Sequence, residues 1–229
     1  MKDMKSGMMA LALAVLPSVA QAQTARVSGQ VSILERPGEV TEDLQNVVVF
    51  LKPVRVDSTL IGERNVTNSV IVLQSRQFSP RVRVVERGSR VEFPNQDPFS
   101  HNVFSKTNGG FDTGTFGRGK TRERVFDEPG VYALYCNVHP RMTAFVITLA
   151  TPFHTQGALD GRFSIDSVPP GEYELHAWHD RAAEKVQKVR VGAAGLRSLR
   201  IELDARGYRY VQHKNKFGQV YTSATGERY

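Results

Sequence analysis

Cys136-Asn137-Val138-His139-Pro140-Arg141-Met142 packs a thiol, an imidazole and a thioether into seven consecutive residues. Cys136 is the sole cysteine of a 229-residue chain. A second imidazole, His101, lies upstream in Asp97-Pro98-Phe99-Ser100-His101-Asn102-Val103. Two imidazoles, one thiolate and a weak axial thioether are the ligand set of an electron-transfer copper site. The residues before the loop matter as much. Tyr132, Leu134 and Cys136 share one strand face by the period of two, so the cysteine leaves a strand and the other donors follow in the loop behind it.

Reading outward, the flanking sequence is strand after strand. Phe145, Ile147 and Leu149 alternate downstream. Upstream, Val82, Val84 and Val85 precede Gly88, with Val91 and Phe93 after it, and Val103 with Phe104 resumes beyond His101. Pro129-Gly130, Gly109-Gly110 and Asn95 to Pro98 mark turns. No window of eleven or more residues after the first 22 carries helical periodicity. Short strands at regular spacing with Gly and Pro turns predict an all-β sandwich or barrel.

The N-terminus reads as a leader. Lys2 and Lys5 precede a short apolar run from Met8 to Val19, and Ala20-Gln21-Ala22 is an A-x-A cleavage signal. Cleavage before Gln23 would make residues 1–22 a signal peptide; left uncleaved, the run would be an anchor, although it is short for a membrane span. The leader's Lys2, Asp3 and Lys5 take one unit of the chain's +7, leaving +6 on the exported part. Export to the periplasm excludes nucleic acid as a partner, no transmembrane segment is expected after cleavage, and the positive excess suits an acidic partner. A lone exported cysteine has no internal disulfide partner, and metal ligation would protect it.

The segments Phe93-Pro94-Asn95 to His101-Asn102-Val103 and Gly130 to Met142 together resemble the cupredoxins, the plastocyanin- and amicyanin-like blue copper proteins, over about residues 67–150. The C-x2-H-x2-M spacing matches the short ligand loop of the amicyanins. The resemblance implies a Greek-key β-sandwich holding one type 1 copper, with His101, Cys136 and His139 as ligands and Met142 as the long axial donor. It implies that Asn102 ties the two ligand loops together, and that Pro98, Phe99 and Pro140 lie in the surface patch where a redox partner docks. The expected function is single-electron transfer between a dehydrogenase or cytochrome and an acceptor, without catalysis of its own. Two alternatives stand beside it: a copper-binding or surface-attachment module, and a component of a copper-dependent oxidoreductase, which would need a second histidine cluster.

Beyond Thr151, Arg162-Phe163-Ser164-Ile165 leads through Pro169-Pro170-Gly171 to alternating Tyr173, Leu175 and Ala177, then Val189 with Val191, and Leu199, Ile201 and Leu203. This resembles the later half of carboxypeptidase regulatory-like, transthyretin-type sandwiches. Their usual opening, V-x-G-x-V and a continuous apolar strand, stands far upstream as Val27-Ser28-Gly29-Gln30-Val31 and Val47 to Leu51. The expected order is therefore a second small antiparallel sandwich whose first strands occupy residues 23–56 and whose remainder occupies 151–205, with a cupredoxin domain of residues 62–150 inserted between. The alternative is that Val27 to Leu51 extends the cupredoxin sheets. Residues 206–229 read as a loosely attached tail or an edge strand. His176 and His179, three apart on one strand, are expected as structural histidines on opposite faces, and Trp178 between them as a packing residue.

Overall fold

The computed structural model describes residues 25–54 and 65–221. The expected leader, most of the connector from Asp57 to Asn68 and residues 222–229 lie outside them. The chain is all-β. Its strands run β1 (Ala25–Leu34), β2 (Val48–Pro53), β3 (Asn68–Val70), β4 (Val72–Gln74), β5 (Gln77–Ser79) and β6 (Val82–Glu86). Next come β7 (Ser89–Pro94), β8 (Phe104–Ser105), β9 (Phe111–Asp112), β10 (Thr121–Phe126), β11 (Gly130–Tyr135) and β12 (Thr143–Leu149). The last are β13 (His154–Gln156), β14 (Arg162–Val168), β15 (Gly171–His179), β16 (Ala182–Val191) and β17 (Leu196–Asp204). Among the described residues, helix is limited to one 3-10 turn at Leu44–Asn46.

Residues 68–149 form one sandwich. Its sheets are β10-β7-β3 and β6-β12-β11-β8-β9, with the β4-β5 hairpin at the side. Val91, Phe93, Phe126, Leu134, Ala144 and Val146 fill the space between them. The second sandwich pairs the sheet β14-β1-β17 with the sheet β13-β2-β15-β16. Val27, Val31, Val49, Leu51, Phe163, Leu175 and Ile201 form its core. Strand β1 runs antiparallel to β14 and parallel to β17, with Gly29 opposite both Phe163 and Leu199. A Cβ on Gly29 would stand 2.3 Å from the Leu199 carbonyl oxygen, so only glycine lets β17 come this close. Strand β2 lies antiparallel between β13 and β15.

The two sandwiches meet face to face. Val48 and Phe50 of β2 pack against Val82, Ile147 and Leu149, with Phe145 and Trp178 at the margin. Trp178 meets the Phe145 ring edge-on at 5.3 Å between centroids. Arg81 reaches across to the buried carboxylate of Asp180. This contact explains a feature of the sequence that alternation alone does not. Val47 to Leu51 is continuously apolar because β2 is covered on both sides: Val49 and Leu51 point into the second core, Val48 and Phe50 into the shared layer. Strand β12 does the same from the other side, with Ala144 and Val146 inward and Ile147 and Leu149 toward the partner sheet.

Candidate metal centre

The seven-residue loop is closed at its neck. The Cys136 amide donates to the Met142 carbonyl at 3.4 Å, and the Met142 amide donates to His139 O at 3.1 Å. The flanking strands β11 and β12 are in antiparallel register from Gly130↔Thr148 to Tyr135↔Thr143. The loop therefore hangs from a rigid hairpin. Tyr132, Leu134 and Cys136 all point into the core, as the alternation requires. His101 is brought in from another edge. Its amide and carbonyl pair with Phe116 at 3.1 and 2.8 Å, and the Asn95 side chain donates to the carbonyls of Phe99 and Phe116. That arrangement pins the 95–101 turn beneath the loop.

His101, Cys136 and His139 converge, with one donor atom of each within 4.8 Å of the others. The two Nδ1 atoms are 3.0 Å apart, and the Cys136 sulfur lies 3.6 Å from His101 Nδ1 and 3.8 Å from His139 Nδ1. Bonds of about 2.0 Å to nitrogen and about 2.3 Å to sulfur at trigonal angles place donors roughly 3.5–3.7 Å apart. The triangle thus fits one small metal ion, with the histidine pair slightly closed. Met142 is fully buried in the same core as Cys136.

The surroundings set the protonation. Burial pushes the Cys136 thiol up, against the opposing pull of the backbone amides of Asn102, Val138 and His139. Metal binding there releases a proton, since the ligand is the thiolate. With Nδ1 of His101 in the triangle, its Nε2 meets Asp97 Oδ2 at 2.7 Å. The amides of Ser75 and Arg76 hold the same carboxylate at 2.7 and 2.9 Å. Burial raises Asp97, but these backbone bonds and His101 outweigh it, and the carboxyl is held below its ordinary range. A carboxylate behind a ligating imidazole fixes its tautomer and orientation. Sequence reasoning missed Asp97. Its position four residues before His101 was a weak signal, because the turn between them decides whether they touch.

Each expected residue has a definite place. Asn102 accepts the Asn137 amide at 2.6 Å and so ties the two loops together. Phe99 lies 5.4 Å, ring to ring, from both His101 and His139. Pro98 is exposed, Phe99 and Pro140 are half-buried, and His139 retains 8% exposure. A cleft lined by Arg76, Arg81, Arg141, His139 and Met142 opens beside the site. His176 and His179 stand apart from it. His176 stacks on Phe50 and bonds Glu184 at 2.8 Å, and His179 faces Asp43 at 3.4 Å. Among the described residues, the 101–136–139 triangle is the one group of three such donors.

No family model and no curated protein matches the chain. Solved structures do. Amicyanin from Paracoccus versutus is 22% identical, covering 36% of this chain and 81% of that one, with a TM-score of 0.34. A purple cupredoxin from Nitrosopumilus maritimus is 26% identical, covering 35% of this chain and 99% of that one, with a TM-score of 0.33.

Proposed function

We propose that the chain is a periplasmic type 1 copper protein that passes single electrons between redox partners. The observation that carries this reading is the buried triangle of His101 Nδ1, Cys136 Sγ and His139 Nδ1. Bound copper would supply the one-electron couple. His101, Cys136 and His139 would hold it, with Met142 as the thioether donor of the set. An axial thioether with His2Cys is the donor set of electron-transfer copper rather than of a zinc enzyme, whose catalytic sites keep a position open. The chain is accordingly read as a carrier and not an enzyme.

The protein's own part is to hold the donors still. The loop neck, the Asn102 tie and the Asp97 clamp restrain all sides of the triangle, so little need reorganise when charge changes. Pro98, Phe99 and Pro140 would form the docking patch. The nearby Arg76, Arg81 and Arg141 and the net positive charge favour an acidic dehydrogenase or cytochrome as partner. We read β1, β2 and β13 to β17 as one unit into which residues 62–150 are inserted.

Titration of the purified chain with Cu(II) tests the function. An intense visible thiolate-to-copper band and a reversible one-electron wave are expected, and Cys136→Ser should lose the band while keeping its β-sheet circular dichroism. A colourless wild-type complex would overturn the reading.

A further inference from the structure

The tail beyond β17 does not hang free. No strand forms between residues 206 and 221, and the segment meets the ligand loop at Asn137 and Cys136. Its turn is built around Asn215. The Asn215 side-chain oxygen accepts the amides of Phe217 and Gln219 at 3.0 and 2.9 Å, its carbonyl accepts the Gly218 amide at 2.9 Å, and Gly218 takes φ +83°. Lys106, just beyond β8, donates to the same carbonyl at 3.0 Å. The turn is therefore shaped before it meets the loop, and it presents Lys216.

Lys216 closes a circuit. Its amide donates to Asn137 Oδ1 at 2.9 Å and its ammonium to Asp112 Oδ2 at 2.6 Å. Asp112 Oδ1 accepts Asn102 Nδ2 at 3.0 Å, and Asn102 Oδ1 accepts the Asn137 amide at 2.6 Å. The ring passes through the neighbour of His101 and the neighbour of Cys136, and returns through the tail. A second clasp lies beside it. The Tyr221 hydroxyl donates to the Cys136 carbonyl at 2.7 Å. His213 contacts that hydroxyl oxygen at 3.2 Å, and its ring lies tilted against Tyr135 at 4.5 Å between centroids. The Cys136–Asn137 peptide is thus held at its carbonyl by Tyr221 and at its amide by Asn102.

We infer that residues 213–221 are a positioning strap for the metal centre, with Tyr221 fixing the Cys136–Asn137 peptide and Lys216 tying the Asn137 side chain to Asp112, so that the two ligand loops are locked to one another from outside. The strap occupies the Tyr135–Asn137 side, which leaves the Phe99 and Arg141 side as the approach for a partner. The electronic consequence rests on the copper reading above; the mechanical one does not. Networks of this kind are held more firmly than their separate bonds, since each polarises the next.

The experiment uses the full chain with Tyr221→Phe, which removes one oxygen, and Lys216→Met, which keeps the turn's amide but drops the ammonium from Asp112. Hydrogen exchange of the Asn137 and Val138 amides is measured in the metal-free protein, and the reduction potential and visible band after copper loading. Each variant should speed Asn137 exchange by up to about tenfold, the factor one net hydrogen bond is worth, with the thermal midpoint little changed. The potential and band ratio should shift together with it, and Lys216→Arg should restore both. Asn137 exchange and potential that stay at wild-type values in Tyr221→Phe and Lys216→Met would overturn the strap. A wild-type protein that takes copper without the band would count against the copper reading alone, because the exchange rates of the metal-free chain still decide whether the strap holds the loop.

Discussion

At the scale of single residues, the centre depends on what stands behind each donor. Asp97 is the clearest case. Its carboxylate is gripped by the Ser75 and Arg76 amides, both at residues with positive φ, and it turns this fixed charge on His101 Nε2. Asp97→Asn keeps the size but removes the charge. Losing such a partner typically costs about 10–100-fold in metal affinity. Competition with a chelator should show a loss of that order, and undiminished affinity would reduce Asp97 to a shaper of the turn. Met142 can be tested in the opposite sense. Met142→Gln replaces a soft thioether with an oxygen donor, which favours Cu(II), so the potential should fall. A potential that holds or rises would remove Met142 from the donor set.

At the scale of elements, the second sandwich carries an ion cluster where the β15–β16 turn meets the β1–β2 connection. Arg181 donates to both oxygens of Glu35 at 2.9 and 2.8 Å and to Asp43 at 3.2 and 2.7 Å. The Arg181 bonds hold the Glu35 carboxyl below its ordinary value. Burial pushes Asp43 up, but bonds from His179 and Arg181 more than reverse this and hold it far below the usual range. Carboxylates with depressed folded-state values add stability that is complete above their unfolded values, about 3.9 for Asp and 4.3 for Glu. That stability is lost as pH falls through this range toward the folded values. The urea midpoint should therefore begin to drop below roughly pH 5 and keep falling through pH 3 and lower. Arg181→Met should lower it at pH 7 and flatten that dependence; an equally steep loss in the variant would place the acid sensitivity elsewhere. The strands of this sandwich were legible in the sequence, because alternation in β1, β14 and β17 reports one buried face each, and Tyr173, Leu175 and Ala177 mark the inner face of β15. The cluster was not. Glu35, Asp43 and Arg181 sit in the connections between strands, and partners more than a hundred residues apart leave no local pattern. The strap was hidden for the same reason: 206–221 has no periodicity, so it read as a loose tail or an edge strand, whereas the Lys216 amide and the Tyr221 hydroxyl bond the ligand loop. The four candidate donors were readable because their chemistry is rare and three of them share one loop.

At the scale of the molecule, strand pairing bears on how the chain is divided. Strands β1 and β2 hydrogen-bond to β14 and β17 and to β13 and β15, while they meet the 68–149 sandwich through side chains alone, at Val48 and Phe50. Strand β1 lies between β14 and β17, and β2 between β13 and β15, so each early strand is interior to its sheet. Removing them would leave β14 and β17 without a common neighbour. It would also strip Val27, Val31, Val49 and Leu51 from the core and uncover Leu175, Ile201 and Phe163. Unpaired edges and an open apolar face are what soluble sheets avoid. A fragment of residues 151–205 should therefore be unfolded or aggregated, with no cooperative thermal transition. Adding residues 25–54 as a separate peptide should restore β-sheet circular dichroism if the later half supplies the rest of the fold, since both sheets could then close around the shared core. A fragment of 151–205 that melts cooperatively as a monomer would show that the early strands are dispensable, and the proposal of a sandwich split by an inserted copper domain would fail.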